Sequence, residues 1–220
     1  MTGTPPPSCS ASPARAHPPA RSAALAELRN AVHAELHKLG TLPSLRWAAG
    51  LTWAATVLLA VAAHRAAPGA DPIRTALRWT QAGFLVFGVL AATHEYESGG
   101  QIRATLLAVP RRFGLAAAKA IAIVAVVAVL AAPAGTPYLI SVALAGAGLG
   151  GILRNAVAAV AAGLALYLVI CPVLLGRFPS SAAWLPDTAL LEPERGAAAA
   201  VLWPLALLVV AAVTLHRRNA

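Results

Sequence analysis

The run His94-Glu95-Tyr96-Glu97-Ser98 reads as the first half of H-E-x-x-H, where two histidines one helical turn apart hold zinc and the glutamate acts as general base. Ser98 stands where the second histidine must be, so the zinc reading fails; a lone His-Glu pair at a helix end is far more often structural. No G-x-x-x-x-G-K-[ST] phosphate loop is present, which excludes ATP binding by that device. The two cysteines, Cys9 in a polar tail and Cys171 in an apolar block, make neither a disulfide framework nor a metal motif. His64, Asp71 and Glu95 fall at the ends of apolar blocks. No carboxylate is expected near a bilayer midplane, where ion-coupled pumps keep theirs. A membrane-embedded enzyme would need carboxylates or histidines converging at one depth, and none is visible. The chain alone is therefore expected not to be an enzyme.

The elements that carry these residues are apolar. The chain has 220 residues, 59% hydrophobic and 11% charged. A soluble domain carries roughly a quarter charged residues, so a water-facing surface cannot be made from this set. The net charge of +9 would suggest nucleic acid in a soluble protein. Here the basic residues lie between apolar blocks, where they set orientation in a bilayer, and no nucleic-acid partner is expected. Six blocks, at 46–63, 77–93, 115–134, 138–153, 156–176 and 197–215, predict an all-α polytopic membrane protein with about six transmembrane helices. Blocks one, two and four are near the short limit of about 17 residues, and the flanking Arg46, Arg78 and Arg154 extend them by snorkelling. The turn Pro133-Ala134-Gly135-Thr136-Pro137 suits a tight hairpin. Gly146, Gly148, Gly150 and Gly151 permit close helix packing. Pro172 and Pro204 are expected to kink the last two blocks.

Residues 1–22, with Pro5, Pro6, Pro7, Pro13, Pro18 and Pro19, are expected to form a disordered Pro/Ser/Ala-rich tail without the apolar stretch of a signal peptide. Residues 23–45 predict an amphipathic helix on the cytosolic face, because Leu25, Leu28, Val32, Leu36 and Leu39 recur every three or four positions. Orientation follows from the basic residues. Arg15, Arg21, Arg29, Lys38, Arg46, Arg103, Arg111, Arg112, Lys119, Arg154, Arg217 and Arg218 fall on one side, against Arg65, Arg74, Arg78, Arg177 and Arg195 on the other. Both termini, including the tail 217–220, are then cytosolic.

The loop at 94–114 is the informative connector. Gly99-Gly100 releases the second span. Ile102, Leu106 and Val109 fall on one helical face, Pro110 stops that helix, and Arg111-Arg112 mark the return to the membrane. A plain connector has no need of an apolar stripe, and the pattern suits a helix that docks on a cytosolic partner.

The run Glu95-Tyr96, glycine turn, Ile102-Arg103-Ala104-Thr105-Leu106, Ala108-Val109-Pro110-Arg111-Arg112 resembles the first cytosolic loop of ABC-2-type transporter permeases of the actinobacterial type. Ala117-Ala118-Lys119-Ala120, the turn Leu149-Gly150-Gly151-Ile152-Leu153-Arg154-Asn155, Cys171-Pro172, Trp184-Leu185-Pro186 and the end Arg217-Arg218-Asn219-Ala220 are similar to the same family. So is Glu35-Leu36-His37-Lys38-Leu39; the resemblance covers about 30–220. His94, where the family often has a small residue, and the short connection between spans three and four depart from it.

The resemblance implies a multi-pass subunit of the bacterial cell membrane that exports a drug, lipid or peptide as a homodimer or heterodimer of permease chains. A separate cytosolic ATP-binding subunit would bind ATP and Mg; this chain would hold no cofactor or metal. The implied partner-coupling residues are Glu95, Tyr96, Gly99, Ile102, Arg103, Leu106, Pro110, Arg111 and Arg112. The alternative is a non-transporting membrane subunit, such as an immunity or scaffold protein.

Overall fold

In the computed structural model the described residues are 20–66, 69, 71–97, 112–134, 137–187 and 193–218, and all regular structure among them is helical. The helices are α1 (Ala20–Thr41), α2 (Pro43–Ala66), α3 (Pro72–Glu97) and α4 (Arg112–Ala131), the last continued by a 3-10 turn, Ala132–Ala134. Then follow α5 (Tyr138–Leu153), α6 (Ala156–Arg177) and α7 (Pro193–Arg218).

Local chemistry sets the helix ends. Asp71 caps α3: its Oδ1 accepts from Ile73 N at 3.1 Å and Arg74 N at 3.2 Å, while Pro72 fills the first position, where no N–H is needed. Asn155 caps α6 through Oδ1, which accepts from Ala158 N at 2.9 Å. Between α5 and α6 only Arg154 and Asn155 remain. Arg154 takes the left-handed conformation (φ 53) and donates its backbone N–H to Gly150 O at 2.8 Å, closing α5. At the other hinge, Leu42 N still bonds Lys38 O and Arg46 N bonds Leu42 O, and the break between α1 and α2 falls at Pro43, which has no N–H.

Four helical stretches are long and apolar enough to cross a membrane: Pro43–Ala66, Ala116–Ala134, Ala156–Arg177 and Gly196–Arg217. They keep most of that surface outward. Only 11% of the apolar stretch of α2 is buried, and Leu51, Val57, Leu58, Val157, Val173, Val201 and Val209 are all exposed. A contiguous apolar surface of this size requires a bilayer as its solvent. The chain is thus an all-helical membrane protein.

The two remaining apolar blocks form the centre of the bundle. α5 has 16 residues, about 24 Å at 1.5 Å per residue, and is buried along Leu139, Val142, Ala143, Ala145, Gly146 and Ala147. α3 carries Arg74, Arg78, Gln81 and His94, yet Leu77, Phe84, Leu85, Phe87, Val89 and Ala92 are almost wholly enclosed. α3 packs on α5 and α2, and α7 packs on α5. The α3–α5 crossing is close because both partners lack a side chain there. A Cβ at Gly88 would collide with the carbonyl of Ala143, and one at Gly146 with the carbonyl of Leu85.

On α2 and α3, Thr56 Oγ1 donates to Thr80 Oγ1 at 2.9 Å, and Thr80 in turn bonds the Ala76 carbonyl of its own helix. Trp53 meets Phe84 edge-on at 6.5 Å. These contacts satisfy polar groups without water.

α1 begins at Ala20, three residues ahead of the expected boundary, and ends at Thr41 rather than 45, because the residue before a proline leaves the helical region. Its stripe is graded: Leu39 is buried, Leu36, Val32 and Leu28 half-buried, and Leu25 exposed. The stripe packs mainly on α4, where Leu36 lies among Val126, Val129 and Leu130. Residues 1–19 of the expected tail lie outside the described residues.

Candidate functional site

Two polar clusters lie in the bundle, one where α3 ends and one about 13 Å along α3 from its start.

The first surrounds Tyr96, in the last turn of α3. The Arg154 guanidinium lies over its ring, 5.2 Å from the centroid. Tyr96 and Lys119 line a cavity of about 80 Å³ whose other walls are Ala92, Ala116, Ala120, Ile123, Ala147, Gly151, Leu208, Ala211, Ala212 and Leu215. Arg154 is half-buried, and its Nε and Nη2 are screened from solvent with no acceptor among the described residues.

Among the expected partner-coupling residues, Tyr96 is placed at this cluster. Glu95 and Arg112 lie on α3 and α4, but their side chains are outside the described residues, as are Gly99, Ile102, Arg103, Leu106, Pro110 and Arg111 altogether. The two ends of that loop leave and rejoin the bundle near each other, because Tyr96 of α3 and Ala116 of α4 line one cavity. The α5–α6 turn lies at the same end, through Arg154.

The second cluster was not foreseen from the sequence. Asp187 comes from the segment between α6 and α7, yet it reaches into the bundle: its Oδ1 accepts from Gln81 Nε2 at 3.0 Å. A carboxylate therefore stands beside α3 about a third of the way along it. The same Gln81 Nε2 donates to Arg78 O at 3.0 Å, and Gln81 Oε1 accepts from the Tyr138 hydroxyl at 2.6 Å. Tyr167 and Cys171, both buried on α6, complete the cluster beside Asp187. Pro186 and Leu185 are buried with it, and Trp203 Nε1 of α7 donates to Trp184 O at 2.9 Å. The network fastens the segment 178–187 down onto α3, α5, α6 and α7.

Sequence reasoning missed this cluster because Gln81 and Asp187 are 106 positions apart. The available signals were a glutamine inside an apolar block and tyrosines at the start of α5 and within α6. α6 itself changes winding here: Ala165–Ile170 is π-helical, immediately before Pro172. Pi-helical turns inside α-helices are frequent at functional sites. Among the described residues no three His, Cys, Asp or Glu side chains are grouped to hold a metal ion.

Comparison with protein-family models, with curated proteins and with solved structures returns no match.

Proposed function

We propose that this chain is the membrane-spanning permease subunit of an ATP-binding-cassette exporter of ABC-2 type, with the loop at 94–114 as its coupling element to a separate ATP-binding subunit. The observation that carries the proposal is the convergence at the Tyr96 end. The loop departs from Tyr96 and returns through α4, and the α5–α6 turn is joined to its first stem by Arg154 on the Tyr96 ring. A push or pull on the loop thereby acts on α3, α4, α5 and α6 together. Such coupling must draw on contacts that differ between two states of the bundle.

The same reading counts α3 and α5 as spans, six in all, with both termini cytosolic. Their central position supports this. A helix screened from lipid by its neighbours can be shorter and more polar than one that faces lipid. The charge asymmetry between connectors supports the orientation. The segment 178–187, fastened through Asp187 and Gln81, then closes the external side of the bundle.

The test is co-expression with an ATP-binding subunit encoded beside this chain. The pair should co-purify and hydrolyse ATP in liposomes, and the isolated chain should hydrolyse none. Robust hydrolysis by the isolated chain removes the permease reading.

A further inference from the structure

α6 is packed in two different ways along its length. Ala156–Leu164 lies on α3 and α5, with Ala159 and Gly163 turned inward. From the π-helical stretch onward α6 leaves those helices. Cys171–Arg177 packs chiefly on Pro179–Trp184, a short 3-10 helix that follows it, and this in turn packs on α7. There Val169, Ile170 and Val173 are exposed, while Tyr167 and Cys171 are buried, with the Asp187 backbone against the Cys171 thiol.

The change of partner falls where the α6 ladder is weakest. Across Ala165–Ile170 the winding is π-helical, and the Cys171 N–H reaches back five residues to Leu166 O. Pro172, next in line, has no N–H to continue the ladder. Sharp bends in helices gather at such places. Residues 178–187 carry hydrogen bonds of their own: Ser181 N donates to Phe178 O at 2.9 Å and Leu185 N to Ala182 O at 3.3 Å. Two side chains of the bundle hold them down, Gln81 of α3 on Asp187 and Trp203 of α7 on Trp184 O. Tyr138 donates to the Gln81 oxygen, which turns the amide nitrogen toward Asp187.

We infer that residues 171–187 form a flap that swings from the bundle about the π-helical hinge of α6, with Gln81 and Asp187 as its latch. Water can take up both latch groups when they part, so the net cost of opening is small. Opening bares Gln81, Tyr138 and Tyr167, a polar face at the end of the bundle opposite Tyr96. That this face is the exit for an exported substrate rests on the permease reading; the flap itself does not.

The test reads Cys171 in the full chain with Cys9 replaced, where it is the one remaining thiol. In detergent, the wild type should react slowly but completely with a water-soluble thiol reagent. Gln81→Leu should react about tenfold faster, the change expected for losing one hydrogen bond to a charged group. That variant keeps the Asp187 charge beside the thiol, so the rate reports opening. Gly88→Ala strains the α3–α5 crossing but spares the latch, and should react at the wild-type rate. Hydrogen exchange on the wild type needs no variant: the amides of 171–187 should exchange together, and faster than those of 156–164. Equal rates for Gln81→Leu and wild type, matching acceleration by Gly88→Ala, or uniform protection along α6 each overturns the flap. In a chain with no other cysteine, complexed with the ATP-binding subunit, a short bis-maleimide joining Gln81→Cys to Asp187→Cys should stop transport and leave co-purification intact. Transport that continues through the bridge overturns the exit. Absence of transport in the unmodified complex overturns the permease reading and leaves the flap standing.

Discussion

Tyr138, the first residue of α5, donates its hydroxyl to Gln81 Oε1 of α3 across 2.6 Å, and the amide nitrogen of that glutamine holds Asp187. Tyr138→Phe leaves a buried carbonyl without its donor, a loss of about 1–3 kcal/mol. Thermal unfolding in detergent should show that loss. Gln81→Leu should cost more, since it also removes the amide that donates to the Asp187 carboxylate. The two changes share one network, so the double variant should be non-additive. Strict additivity would mean that Tyr138 and Gln81 act independently. Loosening of the segment 178–187 should also appear as a changed Trp184 emission.

The α3–α5 crossing makes a second test. Gly88→Ala drives a methyl group into the Ala143 carbonyl, and helix backbones cannot yield as a flexible side chain does. Overpacking of this kind costs about 1–3 kcal/mol. Gly50, in α2, has open space around its Cα, and Gly50→Ala should be neutral or stabilising by up to about 1 kcal/mol through helix propensity. Paired melting curves check the contrast, and equal effects of the two substitutions would contradict the close approach.

Topology is testable by cysteine accessibility in a chain whose own Cys9 is replaced. Cysteines placed near Arg65 and at Trp184 should react with an external reagent. Those at Gln101 and Asn155 should react only after permeabilisation. Asn155 and Trp184 are both exposed, so neither result is confounded by packing. Labelling of Gln101 and Trp184 from the same side eliminates the six-span arrangement.

For the coupling loop, Leu106→Asp places a charge on the apolar stripe that is expected to meet the ATP-binding subunit. An unpaired charge in a closed contact costs several kcal/mol, far above the roughly 1.4 kcal/mol of a tenfold change in affinity. The variant should reach the membrane in normal amount and lose both co-purification and transport. Arg103→Ala should act more mildly, because exposed charges contribute little. Intact binding and transport in Leu106→Asp would make the loop a plain connector.

The helical blocks were legible because a long apolar run has one meaning in a chain this poor in charge. Each of the six blocks coincides with a helix; the helices at 43–66, 72–97 and 193–218 run three to five residues past the apolar run at both ends, where caps such as Asp71 carry them on, and those at 138–153 and 156–177 match theirs to within a residue. Their burial was less legible. α3 is marked by polar residues, yet it lies with α5 at the enclosed centre, because hydropathy reports what faces lipid and a central helix faces protein. The small residues of α5 pointed to close packing, but not to Leu85 and Leu207 as the surfaces met. The Gln81–Asp187 contact could not be read at all: it depends on a connector folding back into the bundle, and no local pattern encodes that path. Arg154 was read as a snorkelling flank, and only the folded turn shows its guanidinium on Tyr96.

The π-helical stretch of α6 has a consequence for phase. Ala159, Gly163, Tyr167 and Cys171 are all buried, at a strict four-residue interval. On an ordinary α-helix each four-residue step overshoots a full turn by about 40°, so such a row spirals away from any fixed neighbour. The wider turns of Ala165–Ile170 wind more slowly and take up that drift, which keeps Tyr167 and Cys171 on one azimuth facing the core. α6 thus carries a vernier: one residue gained or lost within it re-aims everything beyond Ile170, while the helix above and below remains regular.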